Sequence, residues 1–353
     1  MNNRRNLLKL GMVLPFAMYG CSSISNDTSS GNSDKVLQII KAKRIKRGSK
    51  VALIAPASNT PNPDDLNKAI EVLNHYELRY EIAASINSSD GYKTKNPIER
   101  ANDFNTMFAN DEIEAIFCVR GGYGSAQILN LIDYDLIKSK PKILLGYSDI
   151  TALHSAIFKQ TGLITFHGPV MLSKFTDYTI SNFDNIFFND SRNIILKNPS
   201  NKIGFREQYL TRTINSGKVQ GRLIGGNLSL ISSLIGSKYQ PDFTNKIVYL
   251  EDVGEAPYRI DRMLLQLQMA GMLDNIKGFV WGKCEECTAG STQSTWDLSL
   301  GEVLDYYIKP LNIPSFTDLM IGHTADQLTL PNGCMVELDA DSSTINLLES
   351  PFI

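Results

Sequence analysis

The chain has 353 residues, enough for about two domains, each with its own core. Lys and Arg (35) nearly balance Asp and Glu (37), and the formal net charge is −2. That balance, with no long basic run, excludes a protein that binds nucleic acid through an extended positive surface.

Residues 1–21 read as an export signal. Arg4, Arg5 and Lys9 accompany a mostly apolar stretch over 7–19, too short to rest in a bilayer as a permanent helix. Met18-Tyr19-Gly20-Cys21 then looks like a lipobox, so Cys21 is expected to carry lipid and anchor the protein to a membrane facing the periplasm. Ser22 at the next position favours the outer membrane, if there is one. The arginine pair fits a twin-arginine signal or a general secretory one. The Ser/Asn/Gly/Asp-rich run to Asp34 is too polar to pack, and 22–47 is expected to be a tether.

Strand and helix then alternate. Val51 to Ala55 reads as a buried strand ended by Pro56-Ala57-Ser58, followed by a helix over 62–76 whose His75 suits a C-terminal cap. A strand over 80–84, a helix over 98–108 and a strand over 113–119 come next. The last runs into Arg120-Gly121-Gly122-Tyr123-Gly124-Ser125, whose exposed backbone N–H groups suit a carboxylate, a phosphate or an oxyanion. It lacks the lysine of a P-loop and the spacing of a dinucleotide fingerprint. Ser125 opens the helix expected over 126–132, where its hydroxyl suits an N-cap.

Ile143-Leu144-Leu145 is another buried strand, Gly146 permits a turn, and helical spacing resumes at Ile150. Strand, tight turn with a central serine, then helix is the geometry of a nucleophile elbow at Ser148, although Ile150 stands where the usual pattern has a second glycine. The region 162–169 reads as strand and turn. Residues 182–200 read as irregular and polar, within a linker region over 176–214. A second unit begins near 218, with Gly225-Gly226-Asn227 before a helix over 228–234. A strand over 246–250 ends in Glu251-Asp252, and apolar 319–321 leads to Gly322-His323. The alternation predicts an α/β fold: an N-terminal parallel-sheet domain (48–175) carrying the elbow and a smaller mixed α/β C-terminal domain (215–353).

Cys118 and Cys334 sit in strand-like segments and read as buried thiols. Cys284-Glu285-Glu286-Cys287 has no second Cys-x-x-Cys partner, so a zinc site is not expected; a local disulfide and two free thiols stay open. A serine nucleophile needs an imidazole base, and the base needs a carboxylate to hold its tautomer. His154 follows Ser148 on the same helix and suits packing; His167 is a further choice; His323 has the best local context. Ser148, His323 and Glu251 lead, with Asp149, Asp252 and Asp318 as competing carboxylates. Arg120 offers a bidentate fork for a terminal carboxylate, or else braces the glycine loop. Tyr123 and Asn227 are further candidates for substrate contact.

In this order, Arg120-Gly-Gly-Tyr-Gly-Ser, Gly146-Tyr-Ser-Asp-Ile-Thr, Gly225-Gly-Asn-Leu, Leu250-Glu-Asp-Val and Ile321-Gly-His resemble the L,D-carboxypeptidase family of serine peptidases, which also contains microcin-immunity proteins. The resemblance runs from about Gly48 to the C-terminus. It implies a Ser–His–Glu triad of Ser148, His323 and Glu251. It also implies an oxyanion hole from the N–H groups of Asp149 and Gly122, and a homodimer. It implies release of the terminal D-alanine from a murein tetrapeptide or muropeptide, with no metal or organic cofactor. Two rival readings stand beside it. One is an immunity-type peptidase acting on an acyl-adenylate, where Trp281 or Trp296 would stack an adenine. The other is a non-catalytic murein-binding lipoprotein.

Overall fold

The structure is a computed structural model that describes residues 37–60, 62–87, 96–189, 193–200, 202–288 and 298–353. Cys21, the arginine pair and Trp296 lie outside the described residues. Residues 37–353 form one compact unit. Part of the expected tether belongs to it: Ala42 and Ile45 are buried, Ile40 bridges Leu163, and Ala42 bridges Phe352. The polar run ends at Asp34, and the apolar residues beyond it have a core to join.

Five strands follow in parallel: β1 (Lys50–Ile54), β2 (Arg79–Ile82), β3 (Ala115–Cys118), β4 (Ile143–Gly146) and β5 (Thr165–His167). Their order is β5-β4-β3-β1-β2. The chain therefore turns outward in opposite directions from β1 and β3, and the crevice at their C-terminal ends is where α/β sheets place ligands. Helices α1 (Pro63–His75) and α2 (Pro97–Ala109) start with proline, behind the side-chain caps Asn62 and Asn96. α3 (Tyr134–Ser139) and α4 (Thr151–Thr161) flank β4. Between β3 and α3 the expected helix is a 3₁₀ segment, Ser125–Leu131.

Helix α5 (Asp177–Phe187) replaces the irregular stretch expected from 182 onward. Phe183, Ile186 and Phe187 lie on one buried face at helical spacing, a signal masked by the Asn and Asp residues around them. Beyond it come β6 (Ile195–Leu196), the hairpin strands β7 (Lys202–Ile203) and β8 (Arg206–Glu207), and β9 (Arg212–Asn215). A mixed sheet is then completed by β10 (Lys218–Asn227), β11 (Lys246–Glu251), β12 (Gly278–Gly282) and β13 (Ser315–Leu319). After β14 (Leu330–Asn332), β15 (Met335–Asp339) and β16 (Thr344–Leu347) extend its other edge. Its order is β6-β16-β15-β10-β11-β12-β13-β9, with β10 to β13 parallel. Helices α6 (Leu228–Ser233), α7 (Pro257–Met269) and α8 (Leu300–Ile308) accompany these strands.

The two sheets share a core. In β1, Val51 and Leu53 face one apolar cluster while Ala52 and Ile54 face another. In β11, Ile247 and Tyr249 join that same first cluster, while Val248 and Leu250 pack with α7 and α8 residues. β14 also crosses back to pair antiparallel with β5, so the C-terminal half supplies an edge strand to the first sheet. Shared packing of this kind fixes residues from distant parts of the chain against each other.

Candidate active site

Ser148 has φ +62, the left-handed conformation that costs an ordinary residue about 1–2 kcal/mol. The neighbours hold it there. A Cβ on Gly146 would fall 2.9 Å from Ile150 Cγ1, and one on Gly121 would fall 2.9 Å from Ser148 Cβ. Both glycines let backbone approach where a side chain would not fit, so the glycine loop lies directly against the serine.

His323 arrives from beyond β13. Its Nε2 is 2.9 Å from Ser148 Oγ, and its Nδ1 is 2.9 Å from Glu251 Oε2. An ionised carboxylate only accepts, so Nδ1 carries the proton and Nε2 accepts from the serine hydroxyl. Glu251 ends β11 and is fully buried. Burial pushes its pKa up, and the hydrogen bond and charge of His323 pull it back. For His323, burial alone would lower the pKa, but the hydrogen bond to Glu251 and the charges of Glu251 and Asp252 raise it above the ordinary imidazole value. Gly322 makes the approach possible: at φ +76, a Cβ there would fall 2.1 Å from Glu251 Oε2. Behind it, the amide of Gln327 donates to the Gly322 carbonyl. The Tyr147 ring stands edge-on to the imidazole, with centroids 5.0 Å apart.

The competing residues have other tasks. Asp149 Oδ2 accepts from the Ser125 N–H at 2.7 Å, tying the glycine loop to the elbow. Asp252 accepts from Asn227 Nδ2 and from the N–H and hydroxyl of Ser229. Asp318 pairs with Lys283. His154 is buried and bonds the Gly146 carbonyl through Nε2. His167 is buried with neither ring nitrogen bonded, and burial holds its pKa well below the usual value. Trp281 is buried in the β12 core.

Arg120 is half-buried and Tyr123 is 51% exposed, both on the glycine loop beside Ser148. Asn227 is buried, caps α6 through Leu230 N–H, and takes its own N–H to Thr151 Oγ1 at the start of α4. These bonds brace it between α4 and α6 rather than leave it exposed. Ser125 is not an N-cap either. Gly124 holds that position, and the Ser125 hydroxyl donates to the Asp149 carbonyl. Cys284 and Cys287 form a disulfide, and Cys118 and Cys334 are buried thiols. Among the described residues, no group of three or more His, Cys, Asp or Glu side chains could hold a metal ion.

Sequence reasoning missed Ser58 and Arg100. Ser58 lies in the loop just past the C-terminal end of β1, on the crevice side of a parallel sheet, which is the signal that could have found it. Arg100 sits inside a helix and carries no local signal of its burial.

Serine, imidazole and buried carboxylate in a hydrogen-bonded row, with the serine on a strained strand-to-helix turn, is the arrangement of a Ser–His–acid hydrolase. Comparison with known families gives this class its place. Residues 51–168 match the LD-carboxypeptidase N-terminal domain and residues 220–338 the LD-carboxypeptidase C-terminal domain. The chain belongs to the LD-carboxypeptidase family and is a peptidase. It is 36% identical over 312 residues to a Bacillus subtilis (strain 168) protein named "Probable murein peptide carboxypeptidase", covering 86% of this chain and 93% of that one. The solved structure of the microcin C7 self-immunity protein MccF in its apo state superposes with a TM-score of 0.79 at 28% identity, covering 89% of this chain and 100% of that one. The muramoyltetrapeptide carboxypeptidase of Oxalobacter formigenes gives a TM-score of 0.71 at 27% identity, covering 84% and 97%.

Proposed function

We propose that this chain is a serine L,D-carboxypeptidase that removes the terminal D-alanine of murein tetrapeptides through an acyl-enzyme. The observation that carries the reading is the row Ser148–His323–Glu251, with both links at 2.9 Å. In this mechanism neutral His323 takes the Ser148 proton as Oγ attacks the amide carbonyl next to the D-residue. Glu251 stabilises the imidazolium that forms. The N–H groups of Gly122 and Asp149 receive the oxyanion, each worth about 3 kcal/mol. The imidazolium then protonates the departing amine of D-alanine, and a water, activated by the same imidazole, hydrolyses the ester. Arg120 binds the terminal carboxylate: it lies on the same loop as Gly122, and none of the described acidic residues is ion-paired with it.

The murein substrate rests on the names of the relatives, and the stereochemistry on the family. Purified protein incubated with L-Ala-D-Glu-diamino acid-D-Ala is expected to release D-alanine, while a pentapeptide ending in D-Ala-D-Ala stays largely intact, as read by mass spectrometry. Equal rates on the two peptides would refute the L,D assignment and leave serine hydrolysis standing. Failure on both, with turnover of an aminoacyl-sulfamoyl nucleoside, would move the function to the immunity type.

We also propose that the enzyme works at a membrane surface, held by lipid on Cys21. Cys21→Ala is expected to move it from the membrane fraction to the soluble periplasm. An unchanged distribution, or an intact N-terminus by mass, refutes the anchor.

A further inference from the structure

The loop after β1 reaches the glycine loop after β3 and grips it on both sides of one residue. The Ser58 N–H donates to the Gly121 carbonyl at 3.2 Å. The Ser58 hydroxyl accepts from the Tyr123 N–H at 3.1 Å. Gly122 lies between these two bonds at φ +113, and a Cβ added to it would fall 2.1 Å from Ser58 Oγ. Ser58 thus occupies the space that a side chain at 122 would need, and both peptide units flanking Gly122 are bonded to it.

A second residue fixes the platform under this clamp. Arg100, buried in α2, donates from Nη1 to the carbonyls of Pro56 at 2.6 Å and Gly124 at 2.8 Å. Its Nη2 reaches Gln127 Oε1 at 2.8 Å. One guanidinium therefore ties the β1 loop to the glycine loop just outside the Ser58 bonds. From the other side, the Ser125 N–H donates to Asp149 Oδ2 at 2.7 Å, and Asp149 follows the nucleophile directly. The β1 loop, the glycine loop and the elbow are thereby joined into one braced unit at the crevice of the first sheet.

We infer that Ser58 is a positioning residue for the oxyanion donor: these bonds to the peptides on either side of Gly122 set the direction of the Gly122 N–H relative to Ser148. This rests on the serine-peptidase reading above. A donor aimed at charge that develops only in the transition state acts on kcat and leaves ground-state binding alone. Removing the Ser58 hydroxyl unties the peptide between Gly122 and Tyr123 and empties the space beside Gly122, so that of this pair only the Ser58 N–H bond to the Gly121 carbonyl still steers the peptide carrying the Gly122 N–H. Misplacement of about 1 Å is enough for losses of about 100-fold.

The test uses the purified protein with the tetrapeptide and two inhibitors: a tripeptide boronic acid, which mimics the tetrahedral intermediate, and a tetrapeptide with a non-cleavable terminal link. Ser58→Ala is expected to lower kcat by about 10- to 100-fold with KM within about threefold, to weaken the boronate by the same factor, and to leave the non-cleavable peptide bound as before. Ser58→Thr, which keeps the acceptor oxygen, is expected to retain kcat within about tenfold of the parent protein. The inference is overturned if Ser58→Ala retains kcat, if boronate and non-cleavable peptide weaken alike, if Ser58→Thr is as impaired as Ser58→Ala, or if the melting temperature of Ser58→Ala falls to the assay temperature. Failure of the underlying reading looks different: Ser148→Ala would then stay active in the same assay.

Discussion

Ser148→Ala is expected to lower kcat by about 10⁴-fold or more, with a melting temperature at or slightly above that of the parent protein. The kinetic loss follows from removing the attacking atom, which no neighbour can replace. The thermal result follows from the backbone: the serine is held at φ +62 for its chemistry, and alanine at that position gives up only the bond to His323. Ser125→Ala is the matched control, because it deletes a hydroxyl from the adjacent glycine loop. Its effect should fall on stability, about 1–3 kcal/mol for a buried Asp149 carbonyl left unpaired, with kcat within about tenfold of the parent. Thermal melts and steady-state kinetics on the two variants separate these roles. An active Ser148→Ala beside an inactive Ser125→Ala would place the nucleophile on the glycine loop.

The elbow was legible because its signals are local: a four-residue buried strand, a glycine where a side chain would strike Ile150, and a helix restarting at once. The choice among three histidines was harder to read. His154 sits within one helix of the serine, yet burial against the Gly146 carbonyl removes it from the site. His323 is 175 residues from Ser148 in sequence, and only the packing of the second sheet against the first brings it to hydrogen-bonding distance. The same limit explains Asn227, whose exposed-looking Gly-Gly-Asn setting gives no hint of the Asp252 and Thr151 that enclose it. Ser58 was missed because a serine after Pro-Ala reads as a turn, and its meaning comes from the glycine loop of another strand.

Glu251→Gln is expected to cost about 10⁴-fold in kcat while leaving the fold intact, because an amide in that place allows the wrong imidazole tautomer. With glutamate, Nδ1–H must point at the carboxylate and Nε2 is left free to accept the Ser148 proton. Glutamine can satisfy Nδ1 with either its oxygen or its NH₂, and the second choice puts the proton on Nε2, facing the serine it should deprotonate. The substitution also changes the pH profile, and the sign can be worked out. The base works only when neutral. Because Glu251 and Asp252 raise the His323 pKa despite its burial, kcat/KM in the parent protein should fall with decreasing pH through a midpoint above about 6.5, the ordinary imidazole value. Without the Glu251 charge, the burial that opposes protonation gains weight, so the residual activity of Glu251→Gln should hold to lower pH than in the parent. A pH series of kcat/KM on the two proteins reads both effects together. An acid midpoint that stays in place when Glu251 is replaced would mean that another group titrates there, and that Glu251 does not set the protonation of His323.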